Sequence, residues 1–161
     1  MRVFVVGASG AIGTRLVPQL LDRGHEVIGT ATSPERAERV SALGAEAIVL
    51  DLLDPRAVRE AVLAAKPEAI VHEATALANL SDFKHFDRSF AQTNRLRTEG
   101  TDALVAAARE AGVRRFVAQS YASARYAREV GPSRPRTTRS TRTRRRRHAR
   151  AGTRWCISTV S

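Results

Sequence analysis

The chain has 161 residues and a formal net charge of +11, with 27 lysines and arginines against 16 aspartates and glutamates. Every acidic residue lies at or before Glu129, whereas ten arginines lie between Arg134 and Arg154, so residues 1–132 are nearly neutral. The single cysteine excludes an internal disulfide and a cysteine-cluster metal site. No apolar run reaches the roughly 18 residues needed to cross a bilayer. We therefore expect one soluble, cytoplasmic domain followed by a basic tail.

Short apolar strands alternate with helices along the first 120 residues, which is the pattern of βαβ units and a parallel sheet. We predict strands at residues 2–6, 25–29, 46–50, 69–72 and 114–119. The strongest helix signals are Ser33 and Asp54, each a capping residue followed directly by proline, and a long Ala- and Leu-rich helix at 88–111. Right-handed crossovers then give a Rossmann-like, doubly wound α/β sheet with five strands in the order 3-2-1-4-5.

The C-terminal region, residues 132–161, differs in composition from the predicted domain at 1–131. Residues 133–150 are almost entirely Arg, Thr, Ser and Pro, so we expect this tail to be disordered and the fifth strand to be left as a sheet edge. Codons can be chosen for residues 132–147 whose alternative reading frame encodes an acidic, proline-rich segment. This suggests the hypothesis that residues 133–161 are a frameshift product and that the domain is truncated.

The opening strand leads directly into a glycine turn with the spacing G-x-x-G-x-x-G, formed by Gly7, Gly10 and Gly13, and the turn opens an amphipathic helix. A dinucleotide pyrophosphate needs backbone N–H groups at a helix N-terminus, and a Cβ on the turn would block its approach. The turn therefore predicts a dinucleotide cofactor. The alternative is that these glycines only make a tight strand-to-helix turn.

The ends of the later strands agree with a cofactor. Asp51 and Leu52 follow the third strand, where a carboxylate can accept a hydrogen bond from an adenine amino group and a backbone can flank the ring; the alternative for Asp51 is a capping or solvated carboxylate. The end of the second strand lacks the acidic residue typical of NAD binding. Thr32 leaves room there for a phosphate, and Arg36 lies one helical turn later, so we favour NADP over NAD.

Four segments carry a family resemblance: VFVVGASGAIGTRLVPQLLDRGHEV, VLDLLDP, AIVHEATALA and GTDALVAAAREAGVRRFVAQSYASARY. Over residues 1 to about 131 the chain resembles the NAD-dependent epimerase/dehydratase family, which comprises extended or atypical short-chain dehydrogenase/reductases. The resemblance implies that the pyrophosphate is held by Gly7, Ala8, Ser9, Gly10, Ala11, Ile12 and Gly13. It implies that Asp51 and Leu52 contact adenine and that Ala74 and Thr75 line the nicotinamide ribose. Asn94 and Ser120 are implied as further cofactor neighbours.

Hydride transfer in this family uses a Y-x-x-x-K pair, in which the lysine lowers the pKa of the tyrosine. Here Tyr121 is followed by Arg125 and Tyr126 by Val130, and both lysines of the chain precede these tyrosines. The family's substrate-binding part has no counterpart either. We therefore expect the NAD(P)-binding domain of an epimerase, dehydratase or reductase acting on a sugar-nucleotide or small carbonyl substrate, catalytically incomplete in this chain, with Ser120 as the one candidate catalytic residue.

Two other functions stay open. Some atypical members of the family bind the cofactor without turnover, so the protein could be an NAD(P)-sensing regulator. The arginines at 144–147, with His148 and Arg150, could also bind nucleic acid or other polyanions without sequence selectivity. No metal site is expected, because His25 and His72 have no second ligand at metal spacing.

Overall fold

The computed structural model describes residues 1–77, 86–120 and 154–159. Its elements follow in the order β1 (Arg2–Val6), α1 (Gly13–Asp22), β2 (Glu26–Ala31), α2 (Pro34–Ser41), β3 (Glu46–Val49), α3 (Pro55–Ala65), β4 (Ala69–His72), α4 (Phe86–Arg95), α5 (Thr101–Glu110), β5 (Arg115–Ser120) and β6 (Arg154–Thr159). A π-helical turn, Leu96–Gly100, joins α4 to α5, so the predicted long helix is one continuous helical segment.

The six strands form one parallel sheet in the order β3-β2-β1-β4-β5-β6. This confirms the predicted Rossmann-like fold and its 3-2-1-4-5 strand order. The sixth strand differs from the expectation that β5 is an edge, because Arg154–Thr159 pairs with β5 along its whole length. An unpaired strand edge offers a row of backbone donors and acceptors, and the tail's short apolar sequence Trp-Cys-Ile lies in the segment that pairs with them.

Helices start where the sequence supplies a cap. The Ser33 hydroxyl accepts a hydrogen bond from the Arg36 N–H at 3.4 Å and caps α2. The Asp54 carboxylate accepts hydrogen bonds from the N–H groups of Arg56 and Ala57, at 3.0 and 3.1 Å, and caps α3. In each helix proline follows the cap, where its missing N–H costs nothing. Both predicted helix starts are therefore confirmed.

The core consists of two apolar layers, one on each face of the sheet. Alternate residues of β1 point to opposite faces, so Val5 packs with the layer around α1 and α2, and Phe4 packs with the layer around α3 and α5. Because both faces are covered, the central strands are apolar without interruption. Because the strands are parallel, the carboxyl ends of β1 to β5 meet at one edge of the sheet, and the candidate site lies there.

The described part of the chain contains no helix that is both long and apolar enough to span a bilayer.

Candidate functional site

The glycine turn packs directly against the loop that follows β4. Gly7 has a φ of +84°, a backbone conformation that side chains disfavour. A Cβ at this position would lie 2.9 Å from both the Cα and the nitrogen of Ala74. Because these are backbone atoms, they cannot move aside without displacing the loop. Glycine at position 7 is therefore required by the approach of the two segments.

Hydrogen bonds to β2 fix the shape of the turn. The Gly7 N–H donates to Thr30 Oγ1 at 3.2 Å, and the Ala8 N–H donates to the Thr30 carbonyl at 3.1 Å. The Gly10 N–H donates to the Gly7 carbonyl at 3.0 Å. At the start of α1, a Cβ on Gly13 would lie 2.5 Å from the Ala8 carbonyl oxygen. The absence of a side chain at Gly13 thus lets the helix begin against the turn.

The first turn of α1 presents backbone N–H groups toward this site. Within the described residues no side chain caps the helix at Ile12, and its first turn contains no acidic residue. Gly10, Ala11 and Ile12 are exposed, and Ser9 is half-buried. The Thr14 and Arg15 N–H groups donate to the carbonyls of Gly10 and Ile12, at 2.9 and 3.0 Å. Among the described residues no backbone acceptor faces the N–H groups of Ala11, Ile12 and Gly13, and the partial positive charge at a helix N-terminus lets such groups bind an anion. The turn therefore fits the pyrophosphate of a dinucleotide, as the sequence predicts.

The end of β2 carries hydroxyl groups and a guanidinium. Arg36 Nη1 donates to Thr32 Oγ1 at 3.4 Å, and both side chains are exposed. Glu35 lies on the same helical turn, and its hydrogen bond with the Ser33 side chain holds the pKa of the carboxyl below its ordinary value. The Arg36 guanidinium is thus held beside Thr32 at the place where the sequence predicts an adenosine 2′-phosphate.

The residues that follow β3 separate into a surface carboxylate and a buried side chain. Asp51 is exposed, and its Oδ1 accepts a hydrogen bond from the Leu53 N–H at 2.9 Å. Leu52 is only 4% exposed and belongs to the apolar core. A Cβ on Gly100 would lie 2.7 Å from Leu52 Cγ, so the π-helical turn packs closely on this leucine. The structure therefore offers Asp51 at the surface, with Leu52 beneath it.

Side chains at both ends fix the loop that follows β4. The Ala74 N–H donates to His72 Nδ1 at 3.3 Å, and the Ala76 N–H donates to Thr93 Oγ1 at 3.0 Å. Ala74 and Thr75, the predicted neighbours of the nicotinamide ribose, are both half-buried. The loop is thus held in place from within the protein while part of its surface stays accessible.

Thr93 is the site residue that sequence reasoning missed. The sequence predicts a cofactor contact at Asn94, whose side chain is exposed and whose carbonyl accepts a hydrogen bond from the Thr98 hydroxyl at 2.8 Å. Thr93, one residue earlier, is fully buried and bonded to the loop. The available signal is its spacing, because Thr93 lies three and seven positions before Leu96 and Gly100, on the same inward face of the helix.

Glu73 is half-buried, and its Oε2 is buried without a hydrogen-bond partner among the described residues. Burial raises the pKa of this carboxyl above its ordinary value. Its own N–H donates to the Val6 carbonyl at 2.9 Å, so Glu73 extends the pairing of β1 and β4 by one step. A carboxyl group of raised pKa therefore lies where β4 joins the loop.

Ser120 is the last residue of β5, and Tyr121, Tyr126 and the arginines at 144–147 lie outside the described residues. Among the residues that the structure does describe, no group of three or more His, Cys, Asp and Glu side chains is placed to hold a metal ion.

The predicted site residues meet at one edge of the sheet. Across the strands from β3 to β5 this edge carries Asp51, Thr32, Gly7, Ala74 and Ser120. The chain reverses its direction of winding between β1 and β4, and open α/β sheets bind their ligands in the crevice at such a point. The glycine turn, with its backbone N–H groups, lies in the same place. Fold and site together define a dinucleotide-binding domain.

Comparison with protein families gives the same result. Residues 7–153 match the model of the NAD(P)H-binding family. The chain belongs to this NAD(P)H-binding family. The predicted dinucleotide cofactor is therefore confirmed at the level of NAD or NADP.

Curated relatives of this chain include reductases. The chain is 51% identical over 124 residues to a 3-diazoavenalumate denitrifying reductase of a Streptomyces species, an alignment that covers 77% of this chain and 39% of the reductase. It is 35% identical over 117 residues to a 4-hydroxy-2-methyl-3-oxo-4-farnesyl-3,4-dihydroquinoline-1-oxide ketoreductase of Stigmatella aurantiaca, covering 73% of this chain and 32% of that one. The chain thus spans about two fifths or less of the length of these curated relatives.

Solved structures of similar fold include complexes with both coenzymes. The Bordetella bronchiseptica enzyme WbmG in complex with NAD is 27% identical with a TM-score of 0.60, over 76% of this chain and 38% of WbmG. The yeast methylglyoxal/isovaleraldehyde reductase Gre2 complexed with NADPH is 25% identical with a TM-score of 0.65, over 78% of this chain and 39% of Gre2. These neighbours confirm the resemblance to the epimerase/dehydratase and short-chain dehydrogenase/reductase group.

Proposed function

We propose that the chain is the NADP-binding part of a reductase that acts on a small carbonyl or related electrophilic substrate. The observation that carries the NADP assignment is the Arg36 guanidinium, held 3.4 Å from Thr32 Oγ1 at the end of β2. An acidic residue following β2 would instead accept hydrogen bonds from the ribose hydroxyls of NAD, and residues 30–33 contain none. Support for a reductase comes from the two relatives named above, whose activities are reductions.

Each part of the cofactor has a place at the sheet edge. The backbone N–H groups of the first turn of α1 bind the pyrophosphate, Thr32 and Arg36 bind the 2′-phosphate, and Asp51 accepts from the adenine amino group. Ala74 and Thr75 lie along the nicotinamide ribose, with Asn94 and Ser120 as further neighbours. When bound, the cofactor would supply a hydride at the crevice between β1 and β4.

This chain lacks the tyrosine–lysine pair that the family uses for proton transfer. An arginine, as at Arg125, is a poor substitute for the lysine because it lacks a compact, rotatable ammonium group. We therefore propose that the chain binds NADPH but does not reduce substrates by itself. A second function, an NADP-sensing regulator, is favoured by the same missing pair. Incubating the full chain with NADPH and a panel of carbonyl and sugar-nucleotide substrates tests this, since sustained NADPH oxidation would contradict both proposals.

Calorimetric titration of the full chain with NADPH and NADH tests the cofactor assignment. We expect NADPH to bind more tightly, because a charged hydrogen bond to the 2′-phosphate contributes about 1.5–3 kcal/mol. Arg36→Gln should lower the NADPH affinity about tenfold or more and leave the NADH affinity nearly unchanged. Arg39→Gln is the matched control, because Arg39 is an exposed arginine in the last turn of α2.

Two results would contradict the assignment. An equal loss of NADPH affinity in the two variants would mean that Arg36 contributes only a general positive charge and no specific contact with the 2′-phosphate. Tighter binding of NADH than of NADPH would reverse the coenzyme preference, and absence of binding by either coenzyme would refute the proposed function as a whole.

The arginines at 144–147 stay a separate prediction. If they bind polyanions, the affinity of the chain for duplex DNA should fall steeply as salt rises and should show no sequence preference. A filter-binding assay at several salt concentrations measures both properties.

A further inference from the structure

His72 is a buried polar residue that the proposed cofactor contacts do not use. It is the last residue of β4, it lies beside Val6 in the parallel register, and it is 4% exposed. Burial lowers its pKa from 6.5 to about 4, so the ring is neutral at physiological pH. A buried neutral imidazole needs one donor and one acceptor to satisfy it.

The hydrogen bond that His72 accepts defines its tautomer. Nδ1 accepts from the Ala74 N–H at 3.3 Å, so the ring proton is carried by Nε2. His72 therefore receives a hydrogen bond from the loop after β4 and carries its ring proton on the nitrogen that does not face Ala74.

The helical segment that carries Thr93 contains an irregular turn. Leu96 is the first residue of the π-helical turn Leu96–Gly100 and lies three residues after Thr93. Single π-helical turns within α-helices occur frequently at functional sites.

Thr93 holds the same loop from the helix. Its hydroxyl is fully buried and accepts from the Ala76 N–H at 3.0 Å. Two alternate N–H groups of the loop, at Ala74 and Ala76, therefore point inward to side-chain acceptors. The residue between them, Thr75, belongs to the predicted nicotinamide ribose contact.

We propose that His72 and Thr93 are positioning residues that hold the loop at 73–76 in the conformation required to bind the nicotinamide half of the cofactor. The inference rests on the proposed function and adds to it the residues that set the geometry of one half of the site. Neither residue touches the cofactor in this scheme. Their effect is transmitted through the backbone of Ala74 and Ala76.

Two ligands separate this role from a general structural one. NADPH reaches the loop, whereas adenosine 2′,5′-bisphosphate carries only the adenosine half and binds near Arg36 and Asp51. Thr93→Val keeps the shape of the side chain but leaves the Ala76 N–H without an acceptor, and we expect it to weaken NADPH binding about tenfold. Its effect on adenosine 2′,5′-bisphosphate should stay within about twofold, and Thr93→Ser, which keeps the hydroxyl, should stay within about threefold for both ligands.

The result for each ligand decides between the explanations. Equal weakening of both ligands by Thr93→Val would show a structural role only, and unchanged NADPH affinity would show no role; either would overturn the inference. If the wild-type chain binds NADPH and the Thr93 variants behave like it, the proposed function stands and only this inference fails. If the wild-type chain binds neither ligand, the proposed function fails first.

The tautomer of His72 gives a measurement that does not depend on Thr93 variants being folded. A long-range proton–nitrogen correlation spectrum of the full-length wild-type protein should show the His72 proton on Nε2 and an unprotonated Nδ1, with the signal assigned by its loss in His72→Gln. A proton on Nδ1 would break the bond from Ala74 and would overturn the inference.

Discussion

The backbones of Gly7 and Ala74 are in such close contact that a single β-carbon on Gly7 would lie 2.9 Å from two Ala74 backbone atoms. This contact joins the glycine turn after β1 to the loop after β4, across the point where the sheet reverses its winding. The two halves of the candidate cofactor site therefore share one contact, and a change there should affect both.

Gly7→Ala should reduce both stability and NADPH binding. The comparison is Gly24→Ala, because Gly24 also has a positive φ, of 73°, but a Cβ there meets nothing within 4 Å. Left-handed strain alone costs about 1–2 kcal/mol, so Gly24→Ala should lose that amount of unfolding free energy and keep its NADPH affinity. Gly7→Ala should lose more and bind NADPH at least about tenfold more weakly. Urea unfolding and coenzyme titration of both variants measure this; equal losses would mean that the contact with Ala74 is not tight.

Gly100→Ala should destabilise the protein through Leu52. The backbone of Gly100 is helical, with φ of −63°, so alanine by itself should add about 1 kcal/mol of helix stability. The new Cβ would lie 2.7 Å from Leu52 Cγ, however, and overpacking of a core costs about 1–3 kcal/mol. In a Leu52→Ala background the same substitution should become stabilising. A double-mutant cycle by urea unfolding measures the coupling, and purely additive effects would refute the predicted contact.

The buried His72 should make stability depend on pH. Its folded pKa of about 4 lies below the unfolded value of 6.5, so between these pH values the unfolded chain binds a proton that the folded chain does not. The stability contributed by the neutral ring is complete above pH 6.5 and is lost as the pH falls to about 4, by up to about 3 kcal/mol. His72→Gln should lack this part of the pH dependence. Urea unfolding of both proteins across the range measures the difference, and parallel curves would contradict the prediction.

Glu73→Gln should raise the melting temperature at neutral pH. Burial raises the folded pKa of Glu73, so the charged carboxylate is disfavoured in the fold above that pKa, and the penalty disappears as the pH falls through it. The gain from glutamine should therefore shrink as the pH falls through the raised pKa and be absent below pH 4.5. Glu68→Gln is the control and should lower the melting temperature, because hydrogen bonds from the Arg2 N–H and from Arg114 lower the pKa of Glu68 and so stabilise its charged form. Thermal melts that move in the same direction for both variants would rule out the burial argument.

The local pattern of the sequence was sufficient for the order of the elements and for most of their boundaries. The five predicted strands of the domain agree with the structure to within two residues. The caps at Ser33 and Asp54 were predictable because a capping side chain bonds to N–H groups two or three residues away, within the same short segment. The strand order followed from the handedness of βαβ crossovers, which depends on backbone chirality and not on particular side chains.

The sequence by itself therefore determined a parallel sheet with a glycine turn for a dinucleotide, because periodicity, capping and turn geometry depend on neighbours along the chain. Only the tertiary structure decided that Thr93 holds the loop after β4, that Leu52 lies beneath Gly100, that His72 accepts a hydrogen bond from that loop, and that residues 154–159 cover the edge of β5. These facts depend on which faces of distant segments meet. Spacing along the chain can place Thr93 on the inward face of its helix, but close packing in three dimensions decides which partner it meets there.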